Sequence, residues 1–246
     1  EIVFENVNFS YNDSTPVLKD INLKIKAGET IAIVGPTGGG KSTIAKLTTR
    51  FYDPSDGRVL IDGLDIREVQ LSSLRQQIGV VPQEPFLFAG SIRDNVGFSK
   101  PDVSDSEIIE ALEASGLMTM VNSMPEGINT VIHERGASLS AGERQLIAIA
   151  RAFLSKPRVL VFDEATSNLD LQSESQVERA LDAILDGRSA IIVAHRLATV
   201  MRADRIFVVS DGSIVESGSH QELLDLGGAY SEMHTQWQET VQSHGS

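Results

Sequence analysis

The chain has 246 residues, of which 41% are hydrophobic, so it is long and apolar enough for one large folded domain and unlike a disordered segment. Its formal net charge is -13, which disfavours nucleic-acid binding because acidic surfaces repel phosphate backbones. It contains no cysteine, which excludes disulfides, thiolate metal ligands and thiol nucleophiles.

The first part of the chain predicts strands and one helix around a glycine-rich stretch. Residues 1–11 alternate apolar and polar side chains, as in a strand with one buried face. "GETIAIVG" (28–35) is a short apolar strand that runs into the glycines, and "KSTIAKLTTRFY" (41–52) has helical spacing that places Ile44, Leu47 and Phe51 on one side. "RVLIDG" (58–63) and "QIGVVPQ" (77–83) are further predicted strands.

The middle of the chain, from about residue 84 to 150, predicts helices. Ser104 and Glu107 form an S-x-x-E capping box before an apolar run. We therefore expect a helical subdomain inserted into a sheet domain.

Strands return in the last third of the chain. "RVLVFDE" (158–164) and "SAIIVAH" (189–195) are continuously apolar, which is typical of parallel strands buried on both faces. A hairpin is expected about Asp211-Gly212, followed by a helix over 220–226 and an amphipathic tail with Trp237. Alternating strands and helices predict an α/β domain with a mostly parallel sheet.

The stretch between the second predicted strand and the first helix matches Gly-x-x-x-x-Gly-Lys-Ser, the P-loop motif in its required strand–helix context. Glycines let successive N–H groups converge on phosphate oxygens, and the following helix adds its positive end. Lys41 is a compact charge for the β- and γ-phosphates, and Ser42 is a ligand for Mg²⁺. The predicted phosphate-binding residues are Gly35, Pro36, Thr37, Gly38, Gly39, Gly40, Lys41, Ser42 and Thr43.

Two acidic residues end the buried strand in "VLVFDEATSNLD" (159–170). Asp163, at the carboxyl end of the strand, can hold Mg²⁺ through water, as the Walker B acid of P-loop enzymes does. Glu164 can orient and deprotonate an attacking water. The sequence thus predicts a nucleotide site with a metal ligand and a general base.

The chain resembles the nucleotide-binding domains of ABC transporters, with their motifs in family order from Tyr11 to Gly218. Beyond Walker A (35–43) and Walker B, the resemblance rests on Tyr11 as the adenine-stacking aromatic, Gln83 in "VVPQEPFLFAGSIRDNV" as the Q-loop, the signature "LSAGERQ" (139–145), Asp170 in the D-loop "SNLD", and His195 in the H-loop "VAHR". "VIHERG" (131–136), with Glu134, is similar to the X-loop of exporters. The resemblance implies one ABC nucleotide-binding domain over 1–246, with a P-loop NTPase (RecA-like) core at about 1–83 and 151–246, an antiparallel β subdomain, and a helical signature subdomain at about 84–150.

It also implies the chemistry and the partners. The implied substrate is ATP, with Mg²⁺ held by Ser42, Gln83 and Asp163. The catalytic residues would be Glu164, His195, Gln83 and Lys41. Two such domains would dimerise head to tail, so that ATP bound at one P-loop also meets Ser140, Gly142 and Glu143 of the other domain's signature, with Asp170 nearby. The dimer would drive an attached transmembrane domain, N-terminal on the same polypeptide, at the cytoplasmic face of the cell membrane, with this segment soluble by itself and no nucleic-acid partner.

The signature departs from the usual LSGGQ at its third and fifth positions, Ala141 and Glu143. One interpretation is that Glu143 forms a capping box with Ser140, a role that Glu fills as well as Gln. The other is that its carboxylate repels the γ-phosphate and weakens one site of a heterodimer. The sequence leaves both open.

Two other functions compete with the exporter ATPase. A soluble ABC ATPase of DNA repair would carry a long coiled coil between the Q-loop and the signature, but the interval from Gln83 to Leu139 is short and has no heptad run; translation relatives carry two cassettes. A P-loop kinase would have no signature. About six apolar spans encoded upstream of Glu1 would favour the exporter.

Overall fold

The computed structural model describes residues 1–12, 15–100, 102–133, 136–163, 169 and 171–244, without the side chains of Leu171 and residues 240–244. The chain divides into two compact units. The first consists of Glu1–Arg75, Val161–Glu164 and Ser189–Ser246, and the second of Gln76–Leu160 and Ala165–Arg188.

Strands and helices alternate along the chain. The strands are β1 Ile2–Ser10, β2 Pro16–Ile25, β3 Thr30–Val34, β4 Asp56–Ile61, β5 Leu64–Asp65, β6 Ile78–Val81, β7 Gly90–Ser91, β8 Val131–Ile132, β9 Val159–Asp163, β10 Ser189–Val193, β11 Arg205–Ser210 and β12 Ser213–Gly218. The helices are α1 Lys41–Thr48, α2 Leu71–Gln77, α3 Ile92–Val96, α4 Asp105–Ala114, α5 Met118–Ser123, α6 Ala141–Leu154, α7 Leu171–Leu185, α8 Leu197–Val200, α9 His220–Leu226 and α10 Ala229–His244, with 3₁₀ turns at Gly97–Ser99 and Gly127–Asn129.

The first unit contains an antiparallel sheet with strand order β2-β1-β4-β5. Strand β1 alternates buried and half-buried residues on each side of a register shift between Phe4 and Val7, where Asn6 has a φ of 48°, so the predicted alternation is interrupted once; Phe4, Val7 and Phe9 are buried. Their apolar side chains hold the sheet over the core.

A second sheet in this unit has the strand order β12-β11-β3-β10-β9. Strand β3 pairs in parallel with β10, with Ile33 opposite Val193, and with β11, with Val34 opposite Val208. Every residue of β3 and β10 is buried, as expected for central strands covered on both faces. The mostly parallel sheet is therefore confirmed, and the carboxyl ends of β3 and β10 meet at one edge.

The hairpin predicted at Asp211-Gly212 is also confirmed. Strands β11 and β12 are antiparallel, and both turn residues have positive φ, 50° and 80°, as a type I′ turn requires. A side chain at Gly212 would begin 2.4 Å from the carbonyl oxygen of Val17, so glycine is needed there.

The second unit is mainly helical, as predicted for the middle of the chain, although β7 and β8 form a small antiparallel pair. The capping box of Ser104 and Glu107 at the start of α4 is present. Helix α6 has nine buried residues.

Helix α1 is shorter than its spacing predicts. Arg50 adopts a left-handed conformation, with φ of 51°, and the N–H groups of Arg50 and Phe51 donate to the carbonyl oxygens of Leu47 and Lys46. This Schellman arrangement ends a helix. The prediction that Phe51 continues the apolar face was wrong: its side chain is 60% exposed, beyond the helix end.

Within the described ranges, none of the helices combines the length and the apolar character needed to cross a bilayer.

Candidate functional site

The loop between β3 and α1 needs glycine at its first and last positions, Gly35 and Gly40. Gly35 has a φ of 142°, and a Cβ there would lie 2.0 Å from the carbonyl oxygen of Val209. Gly40 has a φ of 107° and caps α1. The predicted P-loop is thus a defined turn packed against β11, with its N–H groups at the start of a helix.

Lys41 is the first residue of α1, and its side chain turns back along the loop. Its Nζ donates hydrogen bonds of 2.8 Å to the carbonyl oxygens of Gly35 and of Pro36, and the residue is only 5% exposed. Burial lowers the pKa of Lys41, and the negative charge of Asp163 partly opposes that shift. The loop therefore holds a single cation where the phosphates of a nucleotide are expected.

Ser42 and Asp163 lie 121 residues apart in the sequence but are in contact in the structure. Ser42 Oγ donates a 3.2 Å hydrogen bond to Asp163 Oδ1. The hydroxyl stands in the first turn of α1 and the carboxylate at the carboxyl end of β9. A hydroxyl beside a carboxylate is an all-oxygen donor set, which suits Mg²⁺.

His195 lies two residues beyond β10, and the N–H of Ala194 donates to the carbonyl oxygen of Ile33 in β3. Burial lowers the pKa of His195, the charge of Lys41 lowers it further, and Asp163 opposes the shift. The pKa of His195 therefore depends on both charged residues of the site, and the lowered pKa leaves the ring neutral near pH 7.

Tyr11 extends from the end of β1 to the helix. Its hydroxyl shares a 3.1 Å hydrogen bond with Thr43 Oγ1, and its ring is 47% exposed. The structure thereby brings together six of the predicted side chains: Tyr11 with Thr43, Ser42 with Asp163, and Lys41 and His195 with the charge of Asp163.

Two neighbours of Tyr11 were missed in the sequence. The ammonium of Lys46 lies 5.7 Å from the Tyr11 ring centroid, over the ring, and the ring of Tyr52 packs against Tyr11 at 5.1 Å. Two features of the sequence could have indicated these neighbours. Lys46 lies three residues after Thr43 on α1, and Phe51 and Tyr52 form an aromatic pair shortly after that helix.

In the second unit, the signature segment forms the start of α6. The N–H of Ser140 donates to Glu143 Oε2 at 2.7 Å, and the N–H of Glu143 donates to Ser140 Oγ at 3.1 Å. The capping box is thus present. Gly142 is required by packing, since a Cβ there would lie 2.6 Å from Cβ of Ser173 in α7. Gln83, two residues after β6, is exposed.

Three predicted residues lie outside the described residues: the proposed base Glu164, Asp170 of the D-loop and Glu134 of the X-loop. Their roles stay predictions from sequence.

The parallel sheet, the glycine loop, the buried Lys41 and the Ser42–Asp163 pair define a P-loop NTPase. A family profile described as ABC transporter matches residues 18–167, which is more than half of the chain. The chain belongs to the ABC transporter family, in which it is an exporter-type ATP-binding domain, an ATPase.

Relatives and solved structures agree with this assignment. The ABC transporter ATP-binding protein YwjA of Bacillus subtilis is 48% identical over 233 residues, which is 95% of this chain and 40% of that protein. An ATP-dependent lipid A-core flippase of Syntrophus aciditrophicus is 48% identical over 234 residues, 95% of this chain and 39% of the flippase.

A solved structure of a bacterial Atm1-family ABC exporter with ATP bound superimposes with a TM-score of 0.90 at 41% identity, covering 96% of this chain and 41% of that one. The chain thus spans about two fifths of the length of these relatives.

Proposed function

We propose that this chain is the domain that couples ATP hydrolysis to transport in a membrane exporter. The observation that carries the proposal is the P-loop arrangement, in which the buried Lys41 and the Ser42–Asp163 pair stand at the start of α1. Relatives that are named as a flippase or belong to an exporter support the coupling of this domain to transport.

The P-loop residues bind the triphosphate. Backbone N–H groups of residues 35–43 and the start of α1 attract its oxygens. Lys41 exchanges part of its bonding to the carbonyl oxygens of Gly35 and Pro36 for phosphate oxygens, which carry more negative charge. Tyr11 supplies a partly exposed ring for the base.

Mg²⁺ fits the residues that are present. Ser42 and Asp163 offer oxygen donors 3.2 Å apart, and Gln83 is proposed as a further ligand on the strength of its motif. When bound, the ion neutralises charge that develops on the phosphate oxygens.

The proposed base for water activation is Glu164, with His195 and Gln83 assisting. A neutral His195 can donate from one ring nitrogen while the other accepts a hydrogen bond. That state follows from its burial and from the neighbouring charge of Lys41.

The proposed working unit is a head-to-tail dimer of identical or related chains, joined by ATP between the P-loop of one domain and Ser140, Gly142 and Glu143 of the other, with Asp170 nearby. The transmembrane domain would precede Glu1 on the same polypeptide and place this domain at the cytoplasmic face of the membrane.

We also propose that the ATP-binding core comprises residues of about 1–83 and 151–246 and that the signature subdomain comprises residues of about 84–150. A soluble ABC ATPase of DNA repair or translation is the alternative function.

The metal site gives the sharpest test of this function. In Asp163→Asn the carboxylate is lost while its shape is kept, so we expect ATP hydrolysis to fall at least tenfold and to need a higher Mg²⁺ concentration. Asp56→Asn, an exposed change at the start of β4, is the matched control. Phosphate release across a Mg²⁺ titration measures both. Equal Mg²⁺ dependence in the two variants would contradict the assignment of Asp163.

A further inference from the structure

The ring of Tyr11 is held by two other aromatic rings. Phe9 packs on it at 4.9 Å with an angle of 87° between the planes, and Tyr52 at 5.1 Å with an angle of 85°. Phe9 and Tyr52 also touch each other, at 5.6 Å. Two perpendicular neighbours in mutual contact restrict how the Tyr11 ring can rotate, and edge-to-face geometry is the favourable one for such rings.

Tyr52 reaches this place because α1 ends where it does. Arg50, in its left-handed conformation, reverses the chain after Thr49. Its guanidinium anchors the reversal: Nη1 donates to the carbonyl oxygens of Ile66 at 2.7 Å and Val69 at 3.1 Å, and Nε donates to Asp53 at 3.0 Å.

The segment that follows Tyr52 is fixed to β1. The N–H of Ser55 donates to the carbonyl oxygen of Asn8 at 2.9 Å, and Ser55 Oγ accepts from the N–H of Ser10 at 3.2 Å. The chain is thus anchored on both sides of Tyr52, yet Tyr52 is 45% exposed. Phe9, by contrast, is buried, at 4%.

We propose that Tyr52 is a positioning residue for the nucleotide base: it fixes the plane of Tyr11, so that Tyr11 presents a pre-oriented surface for stacking. The inference rests on the proposed function, since it assumes that Tyr11 receives the base of ATP. Stacking of a base on an aromatic ring loses affinity when the ring must be ordered during binding. Tyr52 acts on the nucleotide through the ring of Tyr11, so we expect its effect to fall mainly on the part of the affinity that depends on the base.

The test distinguishes the contribution of the base to binding affinity from the contribution of the phosphates. Binding of a non-hydrolysable ATP analogue and of inorganic tripolyphosphate, which has no base, is measured by calorimetry for the wild-type chain, Tyr52→Phe, Tyr52→Ala and Tyr11→Ala. We expect Tyr52→Ala to weaken binding of the analogue by about three- to tenfold and to leave tripolyphosphate binding within about twofold. Tyr52→Phe keeps the ring contact and should bind the analogue like the wild type.

The other possible outcomes of the binding experiment each contradict one specific claim. Equal losses for both ligands would mean that Tyr52 supports the loop as a whole, and no loss for the analogue would mean that it does not act on Tyr11; either result overturns the proposal. If Tyr52→Ala does not fold, Tyr52→Leu retains apolar volume without an aromatic edge and takes its place. Failure of the proposed function is visible separately, because the wild type would then bind neither ligand, or Tyr11→Ala would bind both as the wild type does.

Discussion

Lys41 Nζ lies 2.8 Å from the carbonyl oxygen of Gly35, so the P-loop is closed by its own lysine across six residues. Burial lowers the pKa of the same ammonium, and the charge of Asp163 partly opposes that effect. The side chain therefore both organises the loop and supplies its positive charge.

Lys41→Ala should lower ATP affinity by about tenfold or more and hydrolysis further, because a charge-assisted bond to the phosphates is lost. Circular dichroism should show an intact fold. Lys24→Ala, which removes an exposed lysine paired with Glu1 on the antiparallel sheet, is the control and should bind ATP normally. Unchanged ATP affinity in a folded Lys41→Ala chain would contradict the P-loop assignment.

Glu164→Gln keeps the shape of the proposed base and removes its proton acceptor. ATP should still bind, while turnover falls by about a hundredfold or more, and the ATP-bound dimer should persist long enough to be seen by gel filtration. A variant that hydrolyses ATP at nearly the normal rate would remove Glu164 from the mechanism.

Glu143→Gln decides between the two interpretations of the altered signature. The capping box with Ser140 survives in either residue, so monomer stability should stay the same. If the carboxylate lies about 8 Å from the γ-phosphate in a closed dimer, the repulsion removed is roughly 2 kcal/mol before salt screening. ATP-driven dimerisation should then tighten about tenfold, less at high salt.

Sedimentation in the Glu164→Gln background, across ATP and salt concentrations, measures this effect. Glu222→Gln makes the same exchange in the capping box that Ser219 forms at α9, and it controls for any general effect of capping. Equal dimer affinity with and without Glu143→Gln would show that Glu143 is only a helix cap.

His220 makes stability depend on pH. Its Nδ1 lies 2.6 Å from the hydroxyl of Tyr230, a residue with no exposed surface. Burial lowers the pKa of His220 from 6.5, and the nearby His234 lowers it further. The unfolded chain therefore binds this proton more readily than the folded chain, so the free energy of unfolding should decrease as the pH falls through 6.5. This dependence fades within about one pH unit above that value, where neither state binds the proton.

The measurement is urea unfolding at several pH values between about 5.5 and 7.5. His220→Gln should reduce the decrease without abolishing it, because burial also lowers the pKa of His195. His133→Gln, at an exposed position, should keep the wild-type dependence. Hydrogen bonds from Lys100 and from Ser104 lower the pKa of Glu107 to about 2, so this carboxylate affects stability only in a more acidic range. An identical decrease in His220→Gln would refute the prediction.

Much of the site could be predicted because its signals are local. The strand, glycine loop and helix of the P-loop follow one another within 20 residues, and the same short-range rules predicted the hairpin at Asp211 and the capping boxes at Ser104 and Ser140. Each depends on φ angles or on side-chain bonds to nearby backbone, and those depend on neighbouring residue types. The prediction for Phe51 was wrong because the spacing of apolar residues does not indicate that Arg50 adopts a left-handed conformation and ends the helix.

The sequence by itself determined the class of the fold, the phosphate loop and the family, because these reside in contiguous motifs whose geometry is set by backbone chemistry. Only the tertiary structure decided which distant side chains meet. Asp163 reaches Ser42 because β9 ends and α1 begins at the same edge of the sheet, and Tyr52 reaches Tyr11 because Arg50, anchored to Ile66 and Val69, turns the chain back toward β1. Such contacts arise from the packing of whole elements, and spacing along the chain does not encode them.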